Sequence, residues 1–198
     1  MTAIVLLLAL AFALIGFGVR TAVQIRRTGD SGWRMGGERT PATAVSHLAL
    51  ALSPVLLVVG LLLDLADSRF AGGWEVPSAV EAGGLLLAVV GLLLTVAAQL
   101  DLGSSWRIGV DESEQTDLIT DGLYRWVRNP IFTGMAVFLV GEALVVPNPW
   151  TVGAAVLGIL GMEVQTRLVE EPHLVRTHGP AYAGWAASTG RFLPGIGR

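Results

Sequence analysis

The sequence predicts an all-α integral membrane protein, on three observations. The 198-residue chain is 53% hydrophobic and only 15% charged, with a mean hydropathy of +0.63, whereas a soluble domain carries roughly 25% charged residues. Five apolar stretches approach the ~20 residues needed to cross a bilayer. Arginines crowd alternate connections between those stretches, the pattern that the positive-inside rule produces in a polytopic protein. The length suggests one membrane domain over residues 1–198, with N-terminal transmembrane helices in 1–98 and the polar motifs in 99–198. The net charge of −3 is too small to argue for nucleic acid. The absence of cysteine excludes disulfides, thiolate-held metals and cysteine nucleophiles.

The first stretch, 3–19, lacks a basic start and a clear small-residue cleavage site, and Arg20 follows it directly. It reads as a retained anchor rather than a leader. Thr28 to Gly32 and the Gly36-Gly37 pair read as a flexible loop. The second and third stretches are 44–63 and 80–100, and the acidic run from Asp111 to Asp117 reads as a surface connection. The fourth and fifth, 131–146 and 150–168, are separated by Pro147-Asn148-Pro149. Proline fixes φ and removes a donor, so the chain must turn there and the last two stretches form a helical hairpin. Beyond them, 170–178 reads as a short cytoplasmic helix interrupted by Pro172 and ended by Gly179-Pro180. Tyr182, Trp185 and Phe192 read as interfacial aromatics.

Orientation follows from charge. Arg20, Arg26, Arg27, Arg34 and Arg39 follow the first stretch, Arg107, Arg125 and Arg128 follow the third, and Arg167, Arg176, Arg191 and Arg198 follow the fifth. The second connection holds only Arg69 among Asp64, Asp67 and Glu75, and the hairpin turn holds none. The N-terminus is therefore expected outside an inner or plasma membrane, with the C-terminus in the cytoplasm.

Chemistry concentrates on that cytoplasmic side. Asn129-Pro130 opens the fourth helix, where proline's missing N–H costs nothing, and a helix N-terminus favours an anionic group. Tyr124, Arg125, Trp126 and Arg128 come just before it; topology anchors and an aromatic belt would look the same. Glu163, Arg167 and Glu171 recur at i,i+4 spacing beside Glu170, either as an ion-pair ladder or as carboxylates that grip a polar ligand. Glu142 is the odd charge within an apolar stretch, and an intramembrane carboxylate needs a reason to be there. Gln99, Trp106 and Arg107 are weaker candidates. His47, His173 and His178 are not spaced as a metal site, so no metal is expected.

The stretch from Thr120 through Gly122, Tyr124, Arg128, Asn129, Pro130 and Phe132 to Gly134 resembles the signature T-x-G-x-Y-x-x-x-R-H-P-x-Y-x-G of the isoprenylcysteine carboxyl methyltransferase and phospholipid methyltransferase-like membrane enzymes. Asn148-Pro149 is similar to that family's inter-helix turn. Glu170-Glu171, Gly179 to Tyr182 and Arg191 to Pro194 resemble its C-terminal pattern, so the likeness covers about 99–198. It implies a methyltransferase whose cofactor, S-adenosylmethionine, lies in a cytoplasm-facing pocket built from the last helices and the tail. Its acceptor would be a lipophilic small molecule or a lipidated substrate that enters from the membrane lipids.

Carried over by motif position, Tyr124, Arg128, Asn129, Pro130, Phe132 and Gly134 would line the cofactor site. Glu170 or Glu171 would bind its polar groups, and Leu118 and Ile119 would lie against the adenosine. Three positions depart from the pattern: Asn129 and Thr116 stand where the family has histidine, and Phe132 where it has tyrosine. Asn129 still donates and accepts hydrogen bonds but does not titrate. For a carboxylate acceptor, Arg125 or Arg167 would orient it by bidentate contacts; an amine or thiol would need a base, with Glu142 and Glu163 as candidates. The competing readings are an NADPH-dependent reductase of the sterol-reductase type, with Arg107 and Arg176 for the 2′-phosphate, and a non-catalytic membrane protein.

Overall fold

The computed structural model describes residues 1–34, 40–109 and 117–198. Gly36-Gly37, Arg39, Thr116 and most of the acidic run from Asp111 fall outside these described residues.

The first helix is longer than the apolar stretch that announces it. It runs as α1 (Thr2–Ala13), a π-helical turn (Leu14–Val19) and α2 (Arg20–Thr28), and Gly29 closes it at φ 75°, a left-handed position that suits glycine. Arg20 is thus not a loop residue. It is buried within the helix and donates to the Gly103 carbonyl and to Gln24 Oε1 at 3.1 Å. Its guanidinium lies 4.7 Å from the centroid of the Trp106 ring. A buried cation is tolerated here because carbonyl, amide and ring face it.

α3 (Pro41–Leu65) starts at a reciprocal Thr40/Thr43 cap with proline in its first turn, and α4 spans Ser78–Leu102. A two-residue parallel pair, β1 (Trp33–Arg34) and β2 (Ile108–Gly109), ties the connection after α2 to the one after α4. α5 (Pro130–Val145) and α6 (Pro149–Gln165) form the expected hairpin. At its turn the Asn148 side chain accepts from the backbone N–H of Trp150 and Thr151 at 3.0 and 2.9 Å. Pro172 does not interrupt the helical path beyond α6. A second π-helical turn, Thr166–Glu170, leads into α7 (Glu171–His178), with Pro172 in that helix's first turn. The widened turn accommodates a residue that cannot bond to the carbonyl four positions back. Gly179 then breaks the chain into α8 (Pro180–Ser188).

Among the described residues, four helices are long and apolar enough to cross a membrane: Thr2–Thr28, Pro41–Leu65, Ser78–Ser105 and Pro149–His178. α5 is apolar but has only 16 residues, about 24 Å of helix. Leu7, Leu86, Leu93 and Leu160 are among the large apolar side chains that face outward, as they must where lipid is the solvent.

Lipid tails are as apolar as leucine, so helices in a bilayer associate through close backbone approach and interhelical hydrogen bonds. The α4–α5 seam follows that rule. A Cβ on Gly91 would collide with the Phe138 backbone and the Gly134 carbonyl, and one on Gly84 would come within 2.8 Å of the Gly141 carbonyl. α3 and α6 are joined by Ser53 Oγ, which donates to the Ala154 carbonyl at 2.8 Å, and by Asn148 Nδ2, which donates to the Gly60 carbonyl at 3.2 Å. Phe12 and Phe138, 4.4 Å apart by ring centroid, sit in the core with Val5, Leu57 and Leu61.

Candidate functional site

The 122–129 segment reaches α5 by a short 3-10 turn, Gly122–Arg125. Asp101, at the end of α4, accepts from the Leu123 N–H at 2.7 Å and pins the start of that turn. The tail returns over its far side, where the N–H groups of Arg128 and Asn129 donate to the carbonyls of Gly190 and Arg191 at 2.8 and 3.0 Å.

Arg128 is the knot. Its Nη1 donates to the carbonyls of Ala186 and Thr189, both at 2.7 Å. Its Nη2 donates to the Gly197 carbonyl and to Glu171 Oε1, both at 2.9 Å. Glu171 also takes a two-point contact from Arg191, at 2.8 and 2.9 Å. That paired geometry is the strong form of a charge-assisted bond, and the Glu171 carboxylate raises the Arg191 pKa. The terminal nitrogens of Arg128 and both oxygens of Glu171 thus hold motif, α7 and tail together, while the buried Arg128 Nε has no bond among the described residues.

Beside this knot lies a cavity of about 500 Å³, within the usual range for a ligand site. Tyr124, Asn129, Glu170 and His173 line it from helix ends and the short turn, while Phe17, Leu50, Ala51, Phe132 and Met135 line it from within the membrane helices. Trp33, Trp106, Ile108, Leu118, Ile119 and Trp185 supply further walls. Trp185 Nε1 donates to the Tyr124 carbonyl at 3.2 Å. Burial, then Glu170 and Asp101, raises the Tyr124 pKa, so its hydroxyl remains a donor. That hydroxyl and Glu170 Oε2 have no hydrogen bond among the described residues.

Of the residues expected to hold the cofactor or take part in catalysis, Leu118, Ile119, Tyr124, Arg128, Asn129, Phe132 and Glu170 line this cavity. The rest of that set lies elsewhere. Pro130 is buried at the start of α5, and Gly134 packs against Thr95 and Gly91 of α4. Glu171 is in the arginine knot. Arg125 is exposed, 5.8 Å from the Trp126 ring centroid. Arg167 is exposed and paired with Glu163. Glu142 is fully buried in α5, with both carboxylate oxygens unbonded among the described residues. Tyr182, expected at the interface, is buried.

Gln99, Trp106 and Arg107, the weaker candidates, line the cavity, as do His47 and His173. Arg176 does not. Trp33, Arg34 and Gln165 line it too, and sequence reasoning misses them. A loop tryptophan-arginine pair and a glutamine in an apolar helix carry no motif, although a glutamine at bilayer depth is itself a signal. No group of three or more metal-ligating side chains gathers among the described residues.

Residues 80–181 match the phospholipid methyltransferase family. The chain is 28% identical to protein-S-isoprenylcysteine O-methyltransferase A of Arabidopsis thaliana over 75% of its own length and 74% of the relative's. It is 26% identical to the Tribolium castaneum protein-S-isoprenylcysteine O-methyltransferase over 57% of its length, which spans 41% of that protein. Among solved structures, the eukaryotic intramembrane Ras methyltransferase, isoprenylcysteine carboxyl methyltransferase, superposes with a TM-score of 0.55 at 20% identity. The superposition covers 90% of this chain and 61% of that one, and at this identity the likeness is one of fold.

Proposed function

We propose, from the premise that the chain belongs to the phospholipid methyltransferase family, that it transfers a methyl group from S-adenosylmethionine to a lipophilic acceptor. One observation carries the reading: a single cavity joins the unbonded Tyr124 hydroxyl and the Glu170 carboxylate, which keeps one oxygen unbonded among the described residues, to an apolar wall of Phe17, Leu50, Phe132 and Met135. A cationic, hydroxyl-bearing nucleoside suits the first part and a hydrocarbon chain the second.

The residues present fit that cofactor. Glu170 offers a free carboxylate oxygen to an ammonium or ribose hydroxyl, Tyr124 donates a hydrogen bond, and Leu118, Ile119 and Trp185 supply flat or apolar cover for a base. S-adenosylmethionine supplies an already activated methyl group when bound. The protein's part is then to align the partners and exclude water. Arg128 organises this pocket rather than gripping a ligand, because both of its terminal nitrogens are spent.

A carboxylate acceptor would meet Arg34 or Arg107 in the cavity wall, rather than the exposed Arg125 or Arg167. Neither Glu142 nor Glu163 lines the cavity, which favours an acceptor that needs no deep carboxylate base. The arginine-rich connections lie at the cavity's end of the bundle, which supports a cytoplasmic site with the N-terminus outside.

Calorimetric titration of the detergent-purified protein with S-adenosylhomocysteine and with NADPH tests the reading. Micromolar binding of the first that Glu170→Ala abolishes is the expected result; binding of NADPH alone would replace it with the reductase.

A further inference from the structure

Glu170 lies five positions after Gln165. On a regular α-helix that spacing turns them about 140° apart. Here the intervening turn is π-helical. Its i→i+5 closure brings residues five apart onto one face, and Gln165 Nε2 reaches Glu170 Oε1 at 3.2 Å. Both side chains line the cavity.

Facing an ionised Glu170, the Gln165 amide has one favoured orientation. A carboxylate only accepts, so the NH2 group must point at Glu170 and Oε1 must point away. There it accepts from Ser46 Oγ at 2.8 Å. Ser46 and Gln165 are both buried, so rotating the amide would leave polar groups unpaired where water does not replace them. Ser46 belongs to α3, in the half of the chain that the family motifs do not cover.

We infer that Gln165, oriented by Ser46, is a positioning residue that holds one oxygen of Glu170 and leaves the other for the ligand. The inference rests on the cofactor reading proposed above. The π turn is then the local feature that makes the pair possible. One extra residue moves Glu170 to the cavity face, and Gln165 holds it there.

The test is calorimetric titration of S-adenosylhomocysteine into the whole detergent-purified chain, with unfolding of the empty protein measured alongside. Gln165→Leu removes the donor and leaves Ser46 bonded to the Thr43 carbonyl, its other neighbour at 3.1 Å. The expected loss is about tenfold in affinity. Gln165→Glu keeps the acceptor for Ser46 and removes the amide donor, and a similar loss is expected. Ser46→Ala frees the amide to turn and should cost a few-fold, yet nothing further in the Gln165→Leu background, because the two act through one chain of bonds.

In turnover assays the effect should fall on the KM for S-adenosylmethionine, with kcat at saturation unchanged. Wild-type-like affinity in Gln165→Leu and Gln165→Glu overturns the inference, as do fully additive losses in the double variant. Absence of binding in the wild type overturns the cofactor reading itself, and the inference with it.

Discussion

Where the Pro147–Pro149 turn closes the α5–α6 hairpin, the bundle is shut by removing side chains. Gly84 and Gly141 put the backbones of α4 and α5 in contact, and the Asn148 side chain fills its own helix cap and reaches the Gly60 carbonyl. At the other end the same helices hold a cavity, framed by large polar and aromatic side chains such as Trp106, Arg128, Tyr124 and Glu170. Close backbone packing suffices where nothing has to enter. An open site in a bilayer needs charged groups to keep its walls apart, and those groups must be paired with one another. Glu170 and Glu171 show the division on adjacent residues: the second is locked between two arginines, while the first keeps an oxygen free.

Breaking the close-packed α4–α5 seam should have the largest effect. Gly91→Val places a branched side chain against the Phe138 backbone, with no flexible neighbour to yield. A loss above about 3 kcal/mol is expected, seen as failure to recover monodisperse protein in detergent. Glu171→Ala comes next. It strips Arg128 and Arg191 of their carboxylate in a largely buried setting, and about 3 kcal/mol of stability should go. The midpoint of thermal unfolding should fall whether or not ligand is present. Glu170→Ala is the contrast that sharpens the comparison: unfolding of the empty protein stays near wild type, while affinity for S-adenosylhomocysteine drops about ten- to hundredfold. Equal losses of stability in the two glutamate variants would dissolve the distinction.

The smallest effect concerns Tyr124. Its pKa is raised by burial, Glu170 and Asp101, so the neutral phenol is favoured in the folded state. The stability this contributes is fully present below the ordinary tyrosine pKa and is lost only as pH rises past it. Phenolate absorbance should therefore show no Tyr124 ionisation between about pH 8 and 10 in the native protein. Tyr124→Phe should weaken S-adenosylhomocysteine by about fivefold.

Much of this molecule is legible in its sequence because hydropathy and proline act locally. Four of the five apolar stretches lie inside helices long enough to span a membrane, and the fourth stretch forms the shorter α5. The Pro147-Asn148-Pro149 turn forms the hairpin, and Tyr124, Asn129 and Glu170 come to one cavity. Two departures from the sequence expectation share a cause. A charge after an apolar run looks like a membrane boundary, so Arg20 reads as the end of the first segment. In the fold, Gln24, the Gly103 carbonyl and Trp106 take it in. Pro172 reads as a break because a regular helix would need its missing bond to the carbonyl four residues back; the π turn before it removes that demand.

By itself the chain determined the class, the hairpin and the polar strip at one end, since each depends on residues close in sequence and on the solvent a bilayer provides. Only the tertiary structure decided which of two neighbouring glutamates is locked and which keeps a free oxygen. It also brought Trp33 and Gln165 to the cavity and Ser46 against Gln165. A π turn shifts a helix face by one residue, and β1 meets β2 across some 75 positions; distances of that kind have no local signature.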